Sequence, residues 1–159
     1  MVTLDKLYRI LFIDGGVIMI LFDKNINFKV ADNLEEIKNK WIEVFAGHLT
    51  LKERIDEIYM DNLLWHVFSY EKIDCLEGTK ARKAFDELKN KEYYIFFEDY
   101  IYDCYLLEYK DKYFEVLDCD KIKAKYFNKE KDIYIVDKYF RWTYVNTHES
   151  YCGPYFCRL

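Results

Sequence analysis

The chain of 159 residues carries one proline, five glycines and three histidines. So little proline and glycine excludes a collagen-like repeat or a flexible linker. Five cysteines are an odd number, which excludes a fully paired disulfide framework. No Cys-x-x-Cys pair suggests zinc or a redox couple, and Cys152 and Cys157 flank Gly153-Pro154-Tyr155-Phe156 at a spacing that fits no common metal site. Most of the cysteines read as small buried or half-buried thiols. The longest apolar stretch, LYRILFIDGGVIMILF at 7–22, is interrupted by Arg9 and by Asp14-Gly15-Gly16. It falls short of the roughly 20 residues a membrane span needs and lacks the basic start and cleavage site of a signal peptide. It reads as a β-hairpin around Asp-Gly-Gly. The absence of a signal makes a cytoplasmic protein with no membrane partner the expectation.

The common catalytic and cofactor patterns are missing too. Gly15-Gly16 is not followed by the glycine or Gly-Lys-Ser/Thr of a phosphate loop, so no cofactor is expected. There is no Gly-x-Ser-x-Gly elbow and no His-Glu-x-x-His helix. His48, His66 and His148 lie too far apart to share a helix face, so no metal site is expected. The balance of 24 basic against 29 acidic residues, net −5, excludes a uniform nucleic-acid footprint.

What is present is a core and an excess of aromatics. Hydrophobic types make up 52% and charged types 33%, enough to bury one interior, so a single domain over 1–159 is expected. Sixteen Tyr, twelve Phe and three Trp raise the aromatic share to 19%. Biased codon usage accounts for much of that; any exposed cluster would be an interaction patch.

Residues 33–46 place Leu34, Ile37, Trp41, Val44 and Phe45 at helical spacing, with Asp32 or Asn33 as cap and Gly47 as stop. Thr50 and Glu53 make a capping box for a second helix with Leu51, Ile55, Ile58 and Tyr59 on its inner face. Residues 61–70 prolong that helix or run as a buried extended segment. A third helix spans about 79–88, after the Gly78 break. The period then changes to that of strands at Tyr93–Glu98, Cys104–Tyr109, Tyr113–Leu117, Ile133–Asp137 and Trp142–Asn146, with a hairpin turning at Lys110-Asp111-Lys112. The expected fold is α+β: N-terminal helices packed on one face of a largely antiparallel sheet of about five strands. Trp41, Phe45, Ile55, Trp65, Phe68 and Phe85 are the expected core of the helical half.

Two segments carry the candidate site. Trp142, Tyr144, Thr147, His148, Glu149 and Tyr155 form a strand leading into a polar turn, the kind of place where binding groups sit. His148 beside Glu149 suits acid–base work, although adjacent strand residues point to opposite faces unless the strand bends there. His66, between Trp65 and Val67-Phe68, fits a hydrogen-bonded core residue better than a ligand, and joins a site only if it faces His148 or Glu149 across a cleft.

The motifs Phe45-Ala46-Gly47-His48-Leu49, Leu64-Trp65-His66-Val67-Phe68-Ser69-Tyr70-Glu71, Leu76-Glu77-Gly78 with Ala81 and Ala84-Phe85, Trp142-Thr143-Tyr144-Val145 with Thr147-His148-Glu149, and Gly153-Pro154-Tyr155-Phe156 resemble a domain-of-unknown-function family of small, mainly Gram-positive, bacterial proteins. The resemblance covers roughly 33–157, with 1–32 a divergent or additional N-terminal hairpin. It implies a small cytoplasmic protein and brings no activity or catalytic residues with it. Two function classes remain. One is a protein-interaction module, immunity-like or toxin-neutralising, whose acidic charge steers it to a basic protein. The other is a small enzyme or metal-dependent binder built on His66, His148 and Glu149. The missing nucleophile, cofactor and metal patterns favour the first.

Overall fold

Every residue of Ile133–Asp137 and of Trp142–Asn146 is buried. A strand buried on both sides needs covering layers above and below, and that requirement organises the molecule. The computed structural model describes residues 25–61, 63–89, 91–98, 112–117, 120 and 122–159. In chain order these form β1 (Phe28–Ala31), α1 (Leu34–Ala46), a π-helical turn (Glu53–Glu57), α2 (His66–Ser69), β2 (Leu76–Glu77), α3 (Thr79–Asp86), β3 (Tyr93–Phe97), β4 (Tyr113–Val116), a 3-10 turn (Ala124–Phe127), β5 (Ile133–Asp137), β6 (Trp142–Asn146) and β7 (Tyr155–Arg158). The strands make one sheet in the order β1-β4-β3-β5-β6-β7-β2, with every pair antiparallel.

The class is α+β as expected, but the described residues alone put seven strands in the sheet, not five, and both its faces are covered. Alternation sorts the side chains. Tyr93, Ile95, Ile133, Ile135, Trp142, Tyr144 and Phe156 pack on one face with Ala81 and Phe85 of α3 and Phe127 of the 3-10 turn. Phe96, Tyr134, Val136, Val145, Tyr155 and Cys157 pack on the other with Trp41 and Phe45 of α1 and Val67 and Phe68 of α2. A hydrogen bond ties α1 to the sheet: Trp41 Nε1–H donates to Thr143 Oγ1 at 3.0 Å, and that hydroxyl donates to Ile135 O at 3.0 Å.

The capping box forms, with Thr50 N–H donating to Glu53 Oε2 at 2.7 Å and Glu53 N–H to Thr50 Oγ1 at 3.2 Å. The inner face expected behind it does not. Leu51, Ile55 and Tyr59 are 63%, 39% and 52% exposed, and only Ile58 is buried. The wider π-helical winding breaks the 3.6-residue register, and the chain then turns at Tyr59, whose φ is +57°. Ile55 is therefore not a core residue, whereas Trp41, Phe45, Trp65, Phe68 and Phe85 are. Asn33 occupies the N-cap position of α1 without a side-chain capping bond; its amide donates to Glu36 Oε2 at 2.9 Å instead. The described residues of the 61–70 stretch, 61 and 63–70, form turns and the short helix α2. The expected 7–22 hairpin, the Cys104–Tyr109 strand and the turn at 110–112 lie wholly or largely outside the described residues. No described helix is long and apolar enough to cross a membrane.

Candidate functional site

Asp132 is the last residue before β5 and has φ +50°, a left-handed conformation that Asp tolerates better than most residues. Its carboxylate is fully buried. It accepts the Trp65 Nε1–H at 3.0 Å and the His148 backbone N–H at 3.1 Å. Its two oxygens lie 2.9 and 2.8 Å from His148 Nδ1. A carboxylate only accepts, so Nδ1 carries the hydrogen and the ring orientation is set. Nε2 lies 3.8 Å from Glu149 Oε1, and the His148 side chain is 14% exposed. The strand has ended at Asn146, so the turn sets His148 and Glu149 near each other as no straight strand would.

A second buried carboxyl lies beside the first. Glu98 N–H donates to Asp132 O at 3.1 Å, continuing the β3–β5 pairing by one residue. The Glu98 carboxylate accepts the Leu64 N–H at 3.0 Å and the Tyr134 hydroxyl, and Tyr134 Oη in turn accepts the Trp65 N–H at 2.9 Å. Burial pushes the Glu98 carboxyl up to about 7, against the opposing pull of the Tyr134 and Leu64 hydrogen bonds. Burial, with Glu98 next to it, also holds the Tyr134 phenol well above its usual range. Leu64 and Trp65 are thereby pinned to the sheet by two acids and a phenol.

The other expected site residues scatter around this network. Trp142 and Tyr144 are buried under α3, with ring centroids 5.8 and 4.9 Å from that of Phe85. Thr147 Oγ1 donates to Glu149 O and Cys152 O and shapes the turn. Tyr155 is buried on the opposite face, 5.4 Å from Phe68. His66 is half-buried; its Nδ1 lies 2.6 Å from Ile58 O, within hydrogen-bond distance, and its ring packs 4.5 Å from the Trp65 indole. The His148 ring packs on the same indole at 5.8 Å. Asp132, Glu98 and Tyr134 were not among the candidates. The only sequence signal of Asp132 and Glu98 is an acid placed directly before or after an apolar run, which solvated turn acids share, and Tyr134 is one tyrosine inside such a run.

Beside the turn, a groove of about 570 Å³ runs between α2 and β2 on one side and residues 151–155 on the other. Glu71, Asp74 and Glu77 line it with no Lys or Arg among its lining residues, and Tyr151, 96% exposed, borders it. Neither His66, His148 nor Glu149 is among the lining residues. The Cys75 thiol in its wall is pushed up to about 11, by burial first and then by Glu77, Asp74 and Glu71. Among the described residues, no group of three or more His, Cys, Asp or Glu side chains is placed to hold a metal ion.

No curated protein and no solved structure matches the chain. One family model does, and it starts upstream of the residue 33 expected from the motifs. Its match over residues 16–156 means that the chain belongs to the family described as Domain of unknown function (DUF4275).

Proposed function

We propose that this chain is a protein-interaction module whose partner presents a basic segment. The observation that carries the reading is the groove that holds Glu71, Asp74 and Glu77 without a lining cation. Carboxylates on a concave wall of low polarisability focus their field outward and raise the encounter rate with a positive partner. Tyr151 adds a large, exposed, conformationally simple aromatic at the same place, the residue type that anchors interfaces. The net charge of −5 acts in the same direction. A basic toxin such as a nuclease is a partner of this chemistry, and its neutralisation would make the chain immunity-like. The test is affinity capture from native cells with the wild-type chain and with the double variant Glu71→Gln/Asp74→Asn. Glu77 is left intact because its carboxylate accepts the Gly153 N–H at 3.2 Å. The reading requires a basic protein retained by the first and lost by the second. Equal recovery of the same protein by both removes the groove from the account.

A second reading, a small enzyme or metal-dependent binder, is favoured by the hold of Asp132 on His148 Nδ1, which orients the imidazole for acid–base work. It requires a turnover that His148→Ala lowers by ~10²-fold or more while partner capture is unchanged.

A further inference from the structure

Among the described residues β2 is the last strand at one edge of the sheet, and it is only two residues long. Its register against β7 sets Leu76 opposite Phe156 and Glu77 opposite Tyr155. One residue beyond, Gly78 N–H donates to Pro154 O at 2.8 Å, so that pair is of the hydrogen-bonded kind. Hydrogen-bonded and open pairs alternate along an antiparallel ladder, which makes Leu76–Phe156 bonded and Glu77–Tyr155 open. The register carried one residue the other way sets Cys75 opposite Cys157, again at an open position. The far side of β7 gives the same parity independently. Leu159 N–H donates to Arg141 O at 3.0 Å, so residues 155, 157 and 159 turn their backbone groups toward β6 and away from β2.

Open positions bring opposed Cα atoms to about 4.5 Å. A disulfide spans Cα separations of about 4.4–6.8 Å. Cys75 packs against the buried cluster that contains Cys157, and both are free thiols. We propose that Cys75 and Cys157 are a thiol-oxidation site, closing a disulfide between β2 and β7 in the presence of a small-molecule disulfide such as oxidised glutathione.

Cys75 is half-buried and Cys157 fully buried, so Cys75 reacts first. Its thiol loses a proton to solvent and the thiolate attacks one sulfur of the glutathione disulfide. That S–S bond breaks, and one glutathione leaves as a thiolate that takes up a proton. The Cys157 sulfur, giving up its own proton, then attacks the Cys75 sulfur of the mixed disulfide and displaces the second glutathione. Two protein thiols are oxidised and one glutathione disulfide is reduced to two thiols, a two-electron exchange. Closure fastens the strand edge that carries Cys75 and Glu77, both lining the acidic groove, and this chemistry does not depend on whether the groove binds a partner. Burial keeps the Cys75 thiol protonated at neutral pH, so the reaction is slow there and accelerates with alkalinity.

The test uses the full chain, folded and fully reduced, incubated with oxidised glutathione. Remaining thiols are then alkylated and chymotryptic peptides mapped by mass spectrometry; cleavage after Tyr155 and Phe156 separates Cys152 from Cys157. The expected result is one linkage joining the Cys75 and Cys157 peptides, lighter by two hydrogens than the reduced pair. Its formation rate should rise roughly tenfold per unit between pH 7 and 9, following the thiolate fraction. Cys157→Ser should leave a persistent glutathione adduct on Cys75. A wild-type chain in which Cys75 pairs with Cys152, keeps glutathione without closing, or stays fully alkylatable would overturn the proposal; the wild-type map decides this even if the variant fails to fold.

Discussion

Trp65 Nε1–H ends on Asp132 Oδ1 at 3.0 Å, across 67 residues of sequence. That bond ties the segment entering α2 to the start of β5, and Asp132 orients His148 at the same time. The arrangement around His148 is therefore a product of the long-range fold, and each of its members has a structural part in it.

Asp132→Ala is expected to cost about 2–4 kcal/mol of unfolding free energy, because it leaves the Trp65 indole N–H and the His148 N–H unsatisfied in the interior. His148→Ala should cost less, on the order of 1 kcal/mol, since Asp132 keeps its other two donors. Urea denaturation of both variants checks the order, and a larger loss for His148→Ala would contradict this hierarchy.

Trp65→Ala should destabilise the domain by about 3–5 kcal/mol, the usual cost of removing a fully buried aromatic side chain. Trp65→Phe retains most of the packing but loses the bond to Asp132, so a smaller loss of roughly 1–2 kcal/mol is expected in the same denaturation experiment.

Stability should fall as the solution is made less acidic through the window set by Glu98. Burial first, opposed by Tyr134 and Leu64, raises its carboxyl from the ordinary 4.5 to about 7 in the folded chain. Between these values the folded protein binds more protons than the unfolded chain, so the contribution is fully present below pH 4.5 and is lost as pH rises through about 7. The size is on the order of 3 kcal/mol. Glu98→Gln should flatten this part of the curve in denaturant titrations at pH 5 and pH 8; an unchanged slope would show that Glu98 titrates normally.

Much of the architecture was legible and some was not, for physical reasons. The apolar stripe of α1 and the packing of Trp41, Phe45 and Phe85 follow from a 3.6-residue period. The strands β3 to β6 follow from short aromatic and β-branched runs. The second covering layer was not expected, because helices on one face account for an antiparallel sheet; the unbroken apolar run Ile133-Tyr134-Ile135-Val136 is buried on both faces all the same. β2 is too short to carry a period, and β7 lies behind Gly153-Pro154, which reads as a turn. The exposure of Leu51, Ile55 and Tyr59 depends on a change of helical winding that no residue pattern announces. Asp132 and Glu98 became visible as a site only when β3 and β5 were paired.

Tyr151→Ala separates binding from folding. The side chain is 96% exposed, so unfolding free energy should move by no more than about 0.5 kcal/mol. Affinity for a partner seated in the groove should fall on the order of tenfold or more if the ring is an anchor. Calorimetric titration of the captured partner against both chains measures it; an unchanged affinity would place the interface elsewhere.

The most direct measurement of the central claim is a residue-resolved NMR titration of the full chain with an arginine-rich peptide at low ionic strength. The account predicts shifts concentrated at Glu71, Asp74, Glu77 and Tyr151, weakening with added salt and with Glu71→Gln/Asp74→Asn. Shifts spread evenly over all exposed carboxylates, or centred on α1, would contradict it.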